Sequence, residues 1–256
     1  MLGPMLEAFF WGFIGAAFLI VGAVIAFVTD LSPRWRGLIL AFGAGALFGA
    51  VAYELIGDAI ISSTSSVVVG VGFGMGAVIF YLGSRAIEQM GGAPEPSAGP
   101  ALHRSTSRRS ARSNGLAVVI GSILDGIPES VVLGASLLAG TGVGIPVLVA
   151  IAVSNIPEGL SASEDLTQDG AFTRQQVILL WIGVTVASAV AAAIGYVALD
   201  GASPDLAAGV QSFAAGAILA MLAESMIPEA HEIGGREVGL VTALGFAIAT
   251  FLSFNA

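Results

Sequence analysis

Residues 115–139 read GLAVVIGSILDGIPESVVLGASLLA, and this stretch decides what kind of molecule the chain is. Its only two charges, Asp125 and Glu129, fall near the middle. A membrane-crossing helix needs roughly 20 predominantly apolar residues, and this segment is long enough to cross. The two carboxylates stand at i and i+4, on one helix face. Pro128 lies between them, and a proline inside a helix removes a backbone hydrogen bond and kinks it. The next apolar segment, GIPVLVAIAVSNIPEGLSASE at 144–164, repeats the device, with Ser154 and Glu158 at the same spacing, Asn155 beside them and Pro157 before the acid.

Working outward, the rest of the chain has the same character. Of 256 residues, 56% are hydrophobic and 11% charged. Soluble domains carry about a quarter charged residues, so this surface must face lipid. The apolar segments predict eight spans, at 5–29, 36–60, 65–84, 115–139, 144–164, 175–199, 204–230 and 237–255. The fold class is therefore all-α, a polytopic membrane protein. Ser32-Pro33 and Ser203-Pro204 put a capping oxygen ahead of a proline in the first helical turn. The stretch 88–114, rich in Gly, Pro, Ser and Arg, predicts the one long flexible loop, with His103 alone in it. Trp11, Trp35 and Trp181 read as anchors at the membrane interface.

The arginines set the topology. All nine basic residues are arginine. Arg34 and Arg36 lie between spans one and two; Arg85, Arg104, Arg108, Arg109 and Arg112 between three and four; Arg174 between five and six; Arg236 between seven and eight. With eight spans these four connections share one side. The positive-inside rule makes that side cytoplasmic and puts both termini outside a plasma membrane.

Phe42–Ala59 (FGAGALFGAVAYELIGDA) and Phe213–Ala230 (FAAGAILAMLAESMIPEA) align without gaps at an offset of 171, with seven of 18 positions identical. Spans two and seven cross in opposite directions, so this predicts an inverted repeat, a common plan for secondary transporters. The layout is one membrane domain: a first three-helix unit (1–87), the loop (88–114), a central pair (115–170) and a second three-helix unit (171–256), a 3+2+3 arrangement.

A charge at the middle of a membrane costs at least ~2.5–3.5 kcal/mol on insertion scales. Asp125, Glu129 and Glu158 together need protonation or a bound cation, and oxygen ligands of the Asp, Glu, Asn and Ser type suit a divalent cation. Pro128 and Pro157 free the carbonyls of Leu124 and Val153, and broken backbone at this depth is tolerated where it lines a cavity or meets an ion. Asn155 and Glu224, deep in span seven, join Asp125, Glu129 and Glu158 as candidate metal ligands. Ser154 belongs with either the ligands or helix packing. Glu54 and Asp58 stand toward the outer end of span two as entrance residues, and Glu229, His231 and Glu232 toward the arginine side as an exit relay. A solvated helix end explains either group as well.

At these residues the chain resembles the ZIP family of zinc- and iron-type metal transporters. The family's span-four motif, His-Asn-x-Pro-Glu-Gly, reads here Asp125-Gly126-Ile127-Pro128-Glu129-Ser130, and its span-five motif, His-x-Ile-Pro-Glu-Gly, reads Ser154-Asn155-Ile156-Pro157-Glu158-Gly159. Glu224 to His231 is similar to the family's acidic Ile-Pro-Glu segment. The likeness covers nearly the whole chain. It implies eight spans with both termini outside, and Glu129, Glu158 and Glu224 as ligands to a transported divalent ion. Asp125 and Ser154 stand where the family has histidine, and Gly126 has lost a ligand side chain. The all-oxygen site this leaves predicts selectivity moved from Zn²⁺ toward Mn²⁺ or Fe²⁺.

Other function classes are excluded or open. Without cysteine there is no thiolate site or disulfide, and without lysine no Walker A motif. No HExxH or GxGD-like motif is present, so an intramembrane protease is not indicated. The net charge of −9 argues against a nucleic-acid partner. No cofactor is implied beyond the transported ion; the partners are divalent metal ions and membrane lipid. The alternatives are a proton- or monovalent-cation-coupled carrier and a ZIP-like relative that does not transport. Gly70, Gly72, Gly74 and Gly76 on span three suit a homodimer contact or close packing within one chain equally well.

Overall fold

The computed structural model describes residues 2–91, 108–139, 142–167 and 172–255, and among these it is helical with no strand. We label the helices α1 (Leu2–Val28), α2 (Pro33–Ser62), α3 (Ser66–Gly91), α4 (Arg108–Ser136), α5 (Ile145–Thr167), α6 (Arg174–Leu199), α7 (204–234) and α8 (Val238–Asn255). Seven stretches are long and apolar enough to cross a membrane, which makes this a multi-pass α-helical membrane protein. The last of them, Pro204–Asn255, contains 52 residues. Its regular helix is interrupted at Gly235, whose φ of 79° belongs to the left-handed region that glycine adopts without steric cost. Predicted boundaries are shifted by a few residues. The larger departure is at the predicted loop, because α3 runs on to Gly91 and α4 begins at Arg108. His103 and Arg104 lie outside the described residues.

The repeat at an offset of 171 has a structural counterpart. Pro33–Ala50 and Pro204–Met221 are regular α-helix, and each passes at the equivalent residue, Val51 or Leu222, into a π-helical segment, Val51–Gly57 or Leu222–Met226. The residues before the prolines match too, with φ −65°, ψ 149° at Ser32 and φ −65°, ψ 151° at Ser203. Only Ser203 caps, accepting from the Leu206 N–H at 3.3 Å; Ser32 makes no side-chain cap. The two copies run antiparallel. Asp205, at the start of α7, accepts from Ser63 and Thr64 at the end of α2 (2.7–2.9 Å), while Gly37, at the start of α2, abuts Ala230 and Gly234 at the end of α7.

Small residues bring the helices together. α2 packs along α8, and α3 along α7. A Cβ on Gly45 would run into the Thr242 carbonyl, and one on Gly245 into that of Phe42; likewise Gly76 meets Phe213 and Gly216 meets Phe73. Phe42 and Phe213, and Gly45 and Gly216, are partners in the repeat, so the two crossings are copies of one contact. Gly72 also packs on α7, whereas Gly70 and Gly74 meet nothing. The glycine face of α3 is thus partly used within the chain. α1 packs on α5 and α6, and α4 on α6.

One end of the bundle gathers arginines. Arg34 bonds Glu237 at 2.7 Å, Arg36 pairs with Glu164, and the Arg174 guanidinium lies 5.5 Å from the Phe27 ring. Trp181 corrects the sequence reading: it is fully buried, and its Nε1–H donates to the Ser163 hydroxyl at 2.8 Å. Trp35 is exposed and Trp11 half-buried.

Gly216→Ala is expected to destabilise by ~1–3 kcal/mol, the usual cost of overpacking a tight contact. Gly70→Ala, inside a helix with open space around it, should be neutral or stabilising by up to ~1 kcal/mol. Thermal unfolding in detergent separates the two, and an equal response would contradict the crossing.

Candidate metal centre

α1, α4, α5 and α6 enclose a cavity of about 10 Å³, the space of a single water or ion. Glu129 enters it from α4 and Glu158 from α5, each the residue after a mid-helix proline. Asn155 lies one turn before Glu158 and enters from the same helix. Its Nδ2 donates to the Gly15 carbonyl of α1 at 2.9 Å, which fixes the amide and leaves its oxygen free to accept. Thr185 on α6 donates to the next carbonyl, that of Ala16, at 3.3 Å. α1 is thereby tied to α5 and α6 beside the cavity it helps to wall.

Glu129 is 4% exposed. It makes no hydrogen bond or ion pair among the described residues, and it lies near the like charges of Glu158 and Asp125. Charged side chains in a protein interior are almost always paired or coordinate metals, and Glu129 has only the cavity to face. Glu158 interacts with the Ser122 hydroxyl, and Asp125, half-buried, stands close enough to Glu158 for their charges to repel. Among the described residues no three His, Asp or Glu side chains converge closely enough to grip a metal ion as they stand.

Three hydroxyls on this cavity were not anticipated. Ser122 lies seven residues before Glu129, two turns along the same face of α4. Ser188, on α6, is 6% exposed and makes no hydrogen bond among the described residues. A Cβ on Gly126 would stand 3.2 Å from the Ser188 oxygen, so Ser188 takes the space a side chain at 126 would use. Ser130 also lines the cavity, but its hydroxyl is spent on the Gly126 carbonyl at 2.6 Å. The signal in the sequence was weak: isolated serines in apolar helices more often serve packing.

Other expected residues lie elsewhere. Ser154 is buried, donates to its own helix at the Ile151 carbonyl (2.9 Å), and its backbone meets α2 near Gly43. The Val153 carbonyl freed by Pro157 faces that same glycine. Glu224 is exposed on the π-helical segment of α7 and does not line the cavity. Glu54 and Asp58 line a second cavity, of about 510 Å³, with Ser136 and Gln211. Val132 and Val147 wall that space, while Leu133 and Ile151 wall the small one, so about one helical turn separates them. On the opposite side Ser161 donates to Glu229, whose charge reaches Glu158; His231 and Glu232 are exposed.

No protein-family model matches the chain. The chain is 29% identical over 216 residues to an Arabidopsis thaliana protein named "Putative zinc transporter", an alignment covering 83% of this chain and 32% of that relative. The chain thus spans about a third of that relative's length.

Asn155→Leu is expected to lower stability by ~1–3 kcal/mol, since it leaves the Gly15 carbonyl unpaired by the amide in a buried position. Thermal unfolding without added metal reads this, and an unchanged midpoint would show that the bond does not hold α1 to α5.

Proposed function

We propose that this protein is a secondary transporter of divalent metal cations, a carrier and not an enzyme, acting in the manner of the ZIP family it resembles. Glu129 carries the reading: a carboxylate at membrane depth, with no partner among the described residues, faces an ion-sized cavity beside a second carboxylate. Two carboxylates balance the charge of one divalent ion. The Asn155 amide oxygen and the hydroxyls of Ser122 and Ser188 complete a set of oxygen donors, with Asp125 near enough to join as the helices move. Glu224, exposed and not lining the cavity, acts in this reading outside the central site. The likeness to a protein named as a zinc transporter supports metal as the cargo.

In this proposal the chain crosses a plasma membrane eight times, as two inverted three-helix units around the central pair α4 and α5. The arginine end is cytoplasmic and both termini are outside. The cavity bearing Glu54 and Asp58 is then the outer vestibule, and the ion passes from it to Glu129 and Glu158 and on toward Glu229. Imidazole and thiolate are absent from the site, so Mn²⁺ and Fe²⁺ are favoured over Zn²⁺ relative to a histidine-bearing site.

Uptake of Mn²⁺, Fe²⁺, Zn²⁺ and Cd²⁺ into proteoliposomes tests this. The wild type is expected to take up at least one ion, Mn²⁺ or Fe²⁺ ahead of Zn²⁺, and Glu129→Ala with Glu158→Ala to abolish it. No uptake of any of the four by folded protein would turn the reading to a monovalent-cation carrier or a non-transporting relative. A binding readout checks the site separately. A cation at one hundred times its dissociation constant should stabilise the wild type by ~2.7 kcal/mol. Glu129→Gln should lose that stabilisation while remaining folded.

A further inference from the structure

Glu158, Ser161 and Asp165 stand at i, i+3 and i+7 on α5 and form a stripe from the small cavity to the arginine end of the bundle. Two elements close over that stripe. From α7, Glu229 accepts from Ser161. From α2, Arg36 pairs with Glu164, the two side chains being 22% and 27% exposed. The Arg36 charge also acts on Asp165 and Glu229, and its Nε is enclosed without a hydrogen-bond partner among the described residues. Gly37, the next residue, is pressed against Ala230 and Gly234, so α2 and the end of α7 are in backbone contact here. The other side of the small cavity differs, since a space of about 510 Å³ opens within a helical turn of it.

Glu229 and Asp165 repel one another, and the Arg36 charge, paired with Glu164 and acting on both, offsets that repulsion. Arginine supplies a cation that is always charged and cannot leave by losing a proton; it leaves by swinging its side chain outward or by movement of α2 away from α5. Resting on the transport reading above, we propose that Arg36 is the gate residue of the arginine-side mouth. Its guanidinium stands among Glu164, Asp165 and Glu229 as a tethered cation and locks α2 and α7 onto α5, until a divalent ion leaving Glu158 competes for the same carboxylates. The ion's arrival at Glu229 weakens the lock twice, by drawing the carboxylate away and by repelling the guanidinium. Release is thereby tied to the presence of cargo.

The chain has no cysteine, so Ser161→Cys places a single thiol beneath the lock. The test is the rate of its reaction with a bulky hydrophilic maleimide in metal-free nanodiscs. With Arg36 present the thiol is expected to react slowly. Arg36→Gln in the same background should react about tenfold faster, as a minor open state becomes populated. Arg36→Glu combined with Glu164→Arg restores the pair and should return the slow rate, which a merely misfolded variant would not. Equal rates with and without Arg36, or a fast rate in the monodisperse charge-exchanged protein, would overturn the proposal. The measurement uses no metal and no flux, so its failure leaves the transport reading standing, and failure of uptake leaves the lock to be judged by this rate alone.

Discussion

Two carboxylates held at membrane depth against one ion-sized cavity are the constraint on which the rest of this structure depends. Burying Glu129 and Glu158 together is expensive, because each loses water and each repels the other. The fold makes the arrangement tolerable through its surroundings. Prolines at 128 and 157 precede each acid, serines 122 and 188 bring hydroxyls to the cavity, and Asn155 is fixed by an α1 carbonyl so that its oxygen remains available. The scaffold around them needs few specific side chains, since glycines let α2 meet α8 and α3 meet α7 at backbone distance. The same contact occurs twice because the same sequence unit occurs twice.

Polarity is distributed along one path. A wide space with Glu54 and Asp58 lies on one side of the site. On the other, an ion pair joins α2 to α5 and a hydrogen bond joins α5 to α7. In a carrier this asymmetry is what one end-state of an alternating-access cycle requires, with access from one face and closure at the other.

Much of this was legible in the sequence. Hydropathy located the helices, because a span has to be both long and apolar. The repeat was visible at an offset of 171, and its structural counterpart is the shared entry into π-helix at Val51 and Leu222. Glu129 and Glu158 stood out because an acid after a mid-span proline is costly without a purpose, and Asn155 as a polar side chain in the same span. Glu224 was expected among the ligands from its depth in span seven, and the structure leaves it exposed on the Leu222–Met226 π-helical segment, off the lining of the cavity. Trp181 misled in another way, since its ring is buried and its N–H satisfied by Ser163, which no hydropathy pattern signals. Ser188 and the Arg36–Glu164 pair depend on contacts between helices far apart in sequence, and nothing local announces them.

The central claim is that Glu129 and Glu158 jointly bind a divalent cation, and anomalous scattering from Mn²⁺-soaked crystals tests it most directly. The expected result is a single strong peak in the small cavity, within coordination distance of both carboxylates. A saturating soak that leaves this cavity without a peak, or that places the only ordered Mn²⁺ away from both residues, would contradict it.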